Sequence, residues 1–255
     1  MNIHVLTVTN KGSASKPSPG IYFSGKWLTE IGFIPGALVQ SIPEPGGVAF
    51  TLCNEDIRSY SELDTATRER GGKLIQLSYT YGKKCPFPHL TTMGQYLQKD
   101  AGLGFGDSLI AHYAPGVIQV RKLPKGVKVI HMTSIKDQLT GKASPKLRLY
   151  GAWLAELGFT PDALVTALSE PGRVTLQLMG KTDDNYSDIV RFARQNKMKL
   201  VQVHEAVRRG KPYPYIITAG PYIDKSGFAS GDTLLASCGH GTITLQKYSP
   251  EGLGF

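Results

Sequence analysis

Apolar and polar residues alternate along much of this chain, in short runs separated by Gly and Pro. Such alternation is the mark of half-buried strands. It predicts strands at Ile3 to Thr9, Ile21 to Phe23, Ala37 to Ile42 and Val48 to Leu52, the last two joined by the turn Pro43-Glu44-Pro45-Gly46-Gly47. One stretch breaks the alternation, Ser24-Gly25-Lys26-Trp27-Leu28-Thr29-Glu30-Ile31-Gly32-Phe33. Trp27, Leu28 and Ile31 are spaced for one face of a short helix, and Gly32 suits the left-handed residue that ends it.

That stretch recurs. It returns as Tyr150 to Phe159, more faintly as Ala219 to Phe228, and most faintly as Met93 to Leu103 with one extra residue. Gly25 to Gly94 and Gly151 to Gly220 both span 69 residues, and Gly25 to Gly151 and Gly94 to Gly220 both span 126. A repeat of this kind decides the architecture before other signals. The chain is a duplicated half, and each half holds two copies of a smaller repeat. Each repeat reads as strand, basic loop, strand, short helix and hairpin. Longer helices at Tyr60 to Arg70 and Tyr186 to Gln195 join the two repeats of a half. A single repeat carries too little apolar surface to close a core, so two must combine. The halves are residues 1–126 (repeats 1–57 and 73–123) and 127–255 (repeats 127–180 and 199–248), linked at Pro124-Lys125-Gly126.

Composition narrows the class. No apolar run approaches the roughly 18 residues of a membrane span. The alternating N-terminus lacks the basic and apolar blocks of a signal peptide. Cys53, Cys85 and Cys238 have no paired spacing. They give neither a zinc site nor a disulfide framework, and they fit a reducing cytoplasm. The formal charge is +9, with +4 in residues 1–126 and +5 in residues 127–255, so no tail carries the excess. A basic surface favours polyanions such as nucleic acid.

The run His4-Val5-Leu6-Thr7-Val8, a basic loop with prolines, Gly25-Lys26-Trp27-Leu28, Gly32-Phe33 and a hairpin turning at Glu44-Pro45-Gly46 resemble the SymE family of small bacterial toxin-like proteins. That family shares the AbrB/MazE/SpoVT swapped-hairpin fold. The resemblance implies a mainly β, α+β chain: two tandem swapped-hairpin AbrB-like β-barrels, each a pseudo-dimer of two βαββ-type units. It also implies nucleic-acid binding, DNA or RNA, through the loop between the first two strands of each unit and its flanks. The matching cations are Lys11 and Lys16; Lys83 and Lys84; Lys136, Lys142, Lys146 and Arg148; and Arg208, Arg209 and Lys211. Contacts from such side chains to phosphates give affinity without reading sequence.

Two alternatives stay open beside nucleic-acid binding. One is a SymE-like endoribonuclease, the other an antitoxin-like module whose loops meet an acidic protein surface. Of His4, His89, His112, His131, His204 and His240, none recurs at an equivalent position: His89 aligns with Tyr215 and His204 with Ser78. His89 follows Lys83 and Lys84 and is the best single position for a base, but no residue earns a catalytic role. No phosphate-binding Gly loop, metal motif or nucleophile elbow occurs, and no cofactor or metal is implied. Gly102-Leu103-Gly104-Phe105-Gly106 follows a helix and reads as a stop and turn. Trp27 and Trp153 read as core residues rather than stacking platforms. Whether the fused chain associates further is left open.

Overall fold

A computed structural model describes residues 3–53, 59–81, 86–136, 141 and 143–249. The chain is mainly β, with six short helices among the described residues, and it divides into two compact units, Met1–Leu123 and Pro124–Gly254. Unit 1 runs β1 (Ile3–Thr7), β2 (Thr9–Asn10), β3 (Pro19–Ser24), α1 (Trp27–Glu30), β4 (Leu38–Glu44), β5 (Gly47–Leu52) and α2 (Tyr60–Glu69). It continues with β6 (Lys73–Gln76), β7 (Ser78–Tyr81), β8 (Pro86–Met93), α3 (Gln95–Lys99), β9 (Ser108–Ala114) and β10 (Val117–Lys122). Unit 2 repeats this order as β11 (Val127–His131), β12 (Thr133–Lys136), β13 (Ala143–Tyr150), α4 (Ala152–Glu156), β14 (Ala163–Glu170), β15 (Arg173–Lys181) and α5 (Thr182–Gln195). Then come β16 (Lys199–Gln202), β17 (His204–Arg208), β18 (Lys211–Ala219), α6 (Pro221–Asp224), β19 (Thr233–Gly239) and β20 (Thr242–Lys247).

Each unit has one six-stranded and one four-stranded antiparallel sheet. In unit 1 the orders are β1-β9-β10-β5-β4-β6 and β2-β3-β8-β7; in unit 2 they are β11-β19-β20-β15-β14-β16 and β12-β13-β18-β17. Each order reads the same from either end once equivalent strands of the two repeats are exchanged. At the centre, residues face their own equivalents: Ala49 opposite Gln119 and Tyr22 opposite Thr91, then Thr175 opposite Thr244 and Arg148 opposite Ile217. The first strand of one repeat pairs with the hairpin of the other, β1 with β9 and β6 with β4.

Closed barrels, expected from the sequence, do not form: among the described residues every sheet is open, with a linear strand order. The reason lies in the first strand of each repeat. The sequence reads it as one strand, but it is two, meeting at a corner residue, Val8, Leu77, Met132 or Val203, each at most 3% exposed. At such corners a strand passes from one sheet to the next. The bent strand is therefore the outer edge of both sheets, and no hydrogen-bonded seam closes the ring. All four corners are held alike. The corner N–H donates to Asp107, Ala37, Asp232 or Ala163, and its carbonyl accepts from Gly106, Gly36, Gly231 or Asp162, at 2.8–3.1 Å.

The core of each unit lies between its two sheets. In unit 1, Ile21, Phe23 and Leu90 from the smaller sheet meet Val39, Phe50, Leu109 and Ile118 from the larger, with Leu28 and Leu97 of the helices. Leu147, Leu149 and Ile216 meet Val165, Leu176, Leu234 and Ile243 in unit 2, with Leu154 and Ile223. Full burial of each such side chain contributes about 2 kcal/mol. Trp27 and Trp153 pack against these cores, and their indole N–H groups donate to Ser24 and Tyr150 carbonyls at 3.1 and 2.9 Å. The glycine entering each helix, Gly25, Gly94, Gly151 or Gly220, has φ between +84° and +145°. Its N–H donates to the carbonyl of Pro88, Pro19, Pro214 or Pro145 in the paired repeat. Only glycine adopts that backbone without strain, which explains why this residue marks the repeat. No helix among the described residues is long and apolar enough to cross a membrane.

Candidate functional site

The four-stranded sheet of each unit turns one face to the core and the other to solvent. Alternation along β13 buries Leu147 and Leu149, and it sends Lys146, Arg148 and Tyr150 outward. Pro214, Ile216 and Thr218 of β18 are buried, while Tyr213, Tyr215 and Ile217 sit on the opposite face. Antiparallel pairing sets Tyr150 opposite Tyr215, and Tyr215 opposite His204.

The outward groups touch one another. The Arg148 guanidinium lies 5.4 Å from the centroid of the Tyr150 ring and 5.9 Å from that of Tyr215, within cation–π range. Tyr150 and Tyr213 rings are 6.3 Å apart, and those of His204 and Tyr215 are 5.4 Å apart. Beside this face is a cleft of about 660 Å³, walled by Tyr150 and Tyr213, by Arg208, Arg209 and Lys211, and by the start of α4. That size suits a compact ligand or a short chain segment.

Local chemistry places the cations. The sequence reads 207–212 as a basic loop; it is a tight hairpin. Arg209 and Gly210 are its central residues, with φ of +52° and +73°, as a type I′ turn requires. Arg208 and Lys211 face each other across the strand ends. Glycine or asparagine would serve such a turn at lower cost than arginine, by roughly 1 kcal/mol. Placing an arginine there spends backbone energy on a cation at the cleft rim, a trade found at functional positions.

Five of the sequence-predicted cations thus share one face or its rim: Lys146, Arg148, Arg208, Arg209 and Lys211. Lys136 ends the outer strand β12, exposed and opposite Ala143. Lys11 and Lys16 belong to unit 1. Asn10 Oδ1 ties their loop by accepting from the N–H groups of Gly12 and Ser18, at 2.9 and 3.0 Å. The Lys11 ammonium sits 4.9 Å from the centroid of Tyr22, and Lys16 is exposed. Lys83, Lys84 and Lys142 lie outside the described residues. His89 lies on the outward face of unit 1, 3.0 Å from Ser78 Oγ and 5.9 Å in ring centroid from Tyr22.

The tyrosines of this face are absent from the sequence-predicted set. The signal is present in Arg148-Leu149-Tyr150 and Tyr213-Pro214-Tyr215, where a period of two puts the polar members on one side. What joins the two triplets is a pairing register between residues 65 apart in sequence, which no local pattern reveals. Comparison with protein-family models, curated proteins and solved structures finds no match to this chain.

Proposed function

We propose that the chain binds nucleic acid, DNA or RNA, with the principal site on the outward face of the smaller sheet of unit 2. The observation that carries this is the convergence of Arg208, Arg209 and Lys211 with Tyr150 and Tyr213 around one cleft. Cations without aromatic walls suit any polyanion. Cations interleaved with aromatic rings suit a polyanion whose every unit also carries a flat base. The net charge of +9 assists long-range capture. We further propose that each unit is a single-chain pseudo-dimer of the swapped-hairpin type, akin to the AbrB-like proteins that the repeat resembles. The exchange of first strands between repeats favours this reading.

Fluorescence anisotropy of labelled DNA and RNA in rising salt tests the function. Affinity is expected to fall steeply with salt. The triple substitution Arg208→Glu, Arg209→Glu and Lys211→Glu is expected to weaken binding at least tenfold. It should also flatten the salt slope by about two to three, one contact per cation removed. Its thermal midpoint should stay near wild type, because all three side chains are exposed. Wild-type affinity in the folded variant overturns the assignment.

A further inference from the structure

The two units place different residues at the same sites on the outward face. In unit 2 a row crossing three strands reads His204, Tyr215, Tyr150. In unit 1 the same row reads Ser78, His89, Ser24. Three rings in one unit are matched by one in the other. The neighbouring site holds Arg148 in unit 2 and Tyr22 in unit 1, and Tyr213 corresponds to Phe87. The architecture is the same in both, so the difference belongs to the side chains and not to the fold.

We propose that the face of unit 2 takes unpaired nucleic acid, holding bases on the Tyr150–Tyr215 row and phosphates on the rim cations, and that the corresponding face of unit 1 does not. This rests on the nucleic-acid reading above and names its substrate form. Three observations carry it. Tyr150 is 52% exposed, far more than a ring in a packed core, and it lines the cleft. Neighbouring strands lie about 4.8 Å apart, so the row His204, Tyr215, Tyr150 crosses three strands and spans roughly 10 Å. Arg148 sits among these rings as a planar cation and offers a further stacking surface. A duplex hides the faces of its bases and offers only phosphates and groove edges. An open strand presents both phosphate and base face, which is what this surface is built to meet.

The test uses the full chain and a fluorescein-labelled 12-nucleotide oligo-dT, beside a mixed-sequence duplex of equal length. The single strand is expected to bind at least tenfold more tightly than the duplex. Tyr150→Ala with Tyr215→Ala is expected to cost the single strand about tenfold or more with an unchanged salt slope. Tyr150→Phe with Tyr215→Phe keeps the rings and is expected to bind within about twofold of wild type, which separates stacking from a fold defect. Ser24→Ala with His89→Ala in unit 1 is expected to leave single-strand affinity unchanged. Several results overturn the inference: equal affinity for duplex, loss in the unit 1 variant equal to that in unit 2, or indifference to the alanine pair. In those cases a loss in the Arg208/Arg209/Lys211 variant would leave general nucleic-acid binding standing. Equal competition by polyglutamate would reduce the face to a generic polyanion site and overturn both readings, as would absence of binding to either probe.

Discussion

Thr92 and Thr218 occupy the same place in the two units, yet their hydroxyls meet different fates. Tyr96 OH bonds to Thr92 Oγ1 and, at 2.8 Å, to Ser41 Oγ. Tyr222 stands where Tyr96 does, but its OH donates to the Ala167 carbonyl, because alanine replaces Ser41 in the second unit. Burial, and then the charge of Glu170, hold the Tyr222 phenol well above its ordinary pKa, so it remains a donor. Thr218, 1% exposed, is left with no partner for its hydroxyl among the described residues. A buried hydroxyl without a partner costs more than a methyl group in its place. Thr218→Val is therefore expected to stabilise the protein by about 1 kcal/mol, and Thr92→Val to destabilise it by a similar amount. Urea unfolding of both variants checks this, and equal losses would refute it. None of this was legible in the sequence. Thr92 and Thr218 are identical there, and the difference rests on a contact to position 41 or 167, about fifty residues away.

At the scale of elements, the four corners set the architecture, and their turns show what they demand. Gly36, Gly106 and Gly231 have φ of +91°, +82° and +89°, and the fourth position is Asp162 at +66°. Each donates its N–H to a corner carbonyl, so the backbone there cannot relax without losing that bond. Gly36→Ala is expected to cost about 1–2 kcal/mol through the left-handed backbone alone, since no side chain crowds the site. Asp162→Gly is expected to change stability by less than about 1 kcal/mol, because relief of strain offsets loss of the Gln202 bond to Asp162 Oδ1. Thermal unfolding of the two variants checks the contrast; a larger loss for Asp162→Gly would mean that the side-chain bond dominates. The repeat, its helices and its hairpins were legible because Gly, Trp or Tyr, and Leu or Ile recur at fixed spacing. The corners were not. A single apolar residue between two alternating runs looks like one longer strand, and the turn that bends it belongs to the partner repeat.

For the whole molecule, the two units share a backbone and differ in surface and in titration. His4 and His112 lie on neighbouring strands of unit 1, and desolvation lowers both pKa values from the ordinary 6.5. Lys128 and Ser237 take their places in unit 2, where Lys128 stands 5.2 Å from the Trp153 ring as His4 stands 4.4 Å from Trp27. An imidazole whose folded pKa lies below its unfolded value stabilises the fold fully above pH 6.5. That contribution drains away as pH falls from 6.5 toward the lowered values, because the unfolded chain binds the proton more readily. Unit 1 is thus expected to lose stability between pH 7 and 5 faster than unit 2. His4→Gln with His112→Gln should flatten that dependence, as read by Tyr and Trp fluorescence melts across pH. Identical pH profiles for wild type and variant would refute it. The cationic half of the candidate site was legible at this scale, from charge recurring in equivalent loops. The aromatic half was not, because only the fold brings Tyr150 to Tyr215. Strand exchange has a further consequence, for the order of events during synthesis. Ile3 must find His112, and Val127 must find Ser237, each about a hundred residues downstream. At a synthesis rate of about 5–20 residues per second, each opening strand waits roughly 5–20 s for its mate. During that interval it is an unpaired edge carrying Val with Leu or Ile. Factors that shield nascent chains should therefore change the yield of this protein before any change in its finished stability is felt.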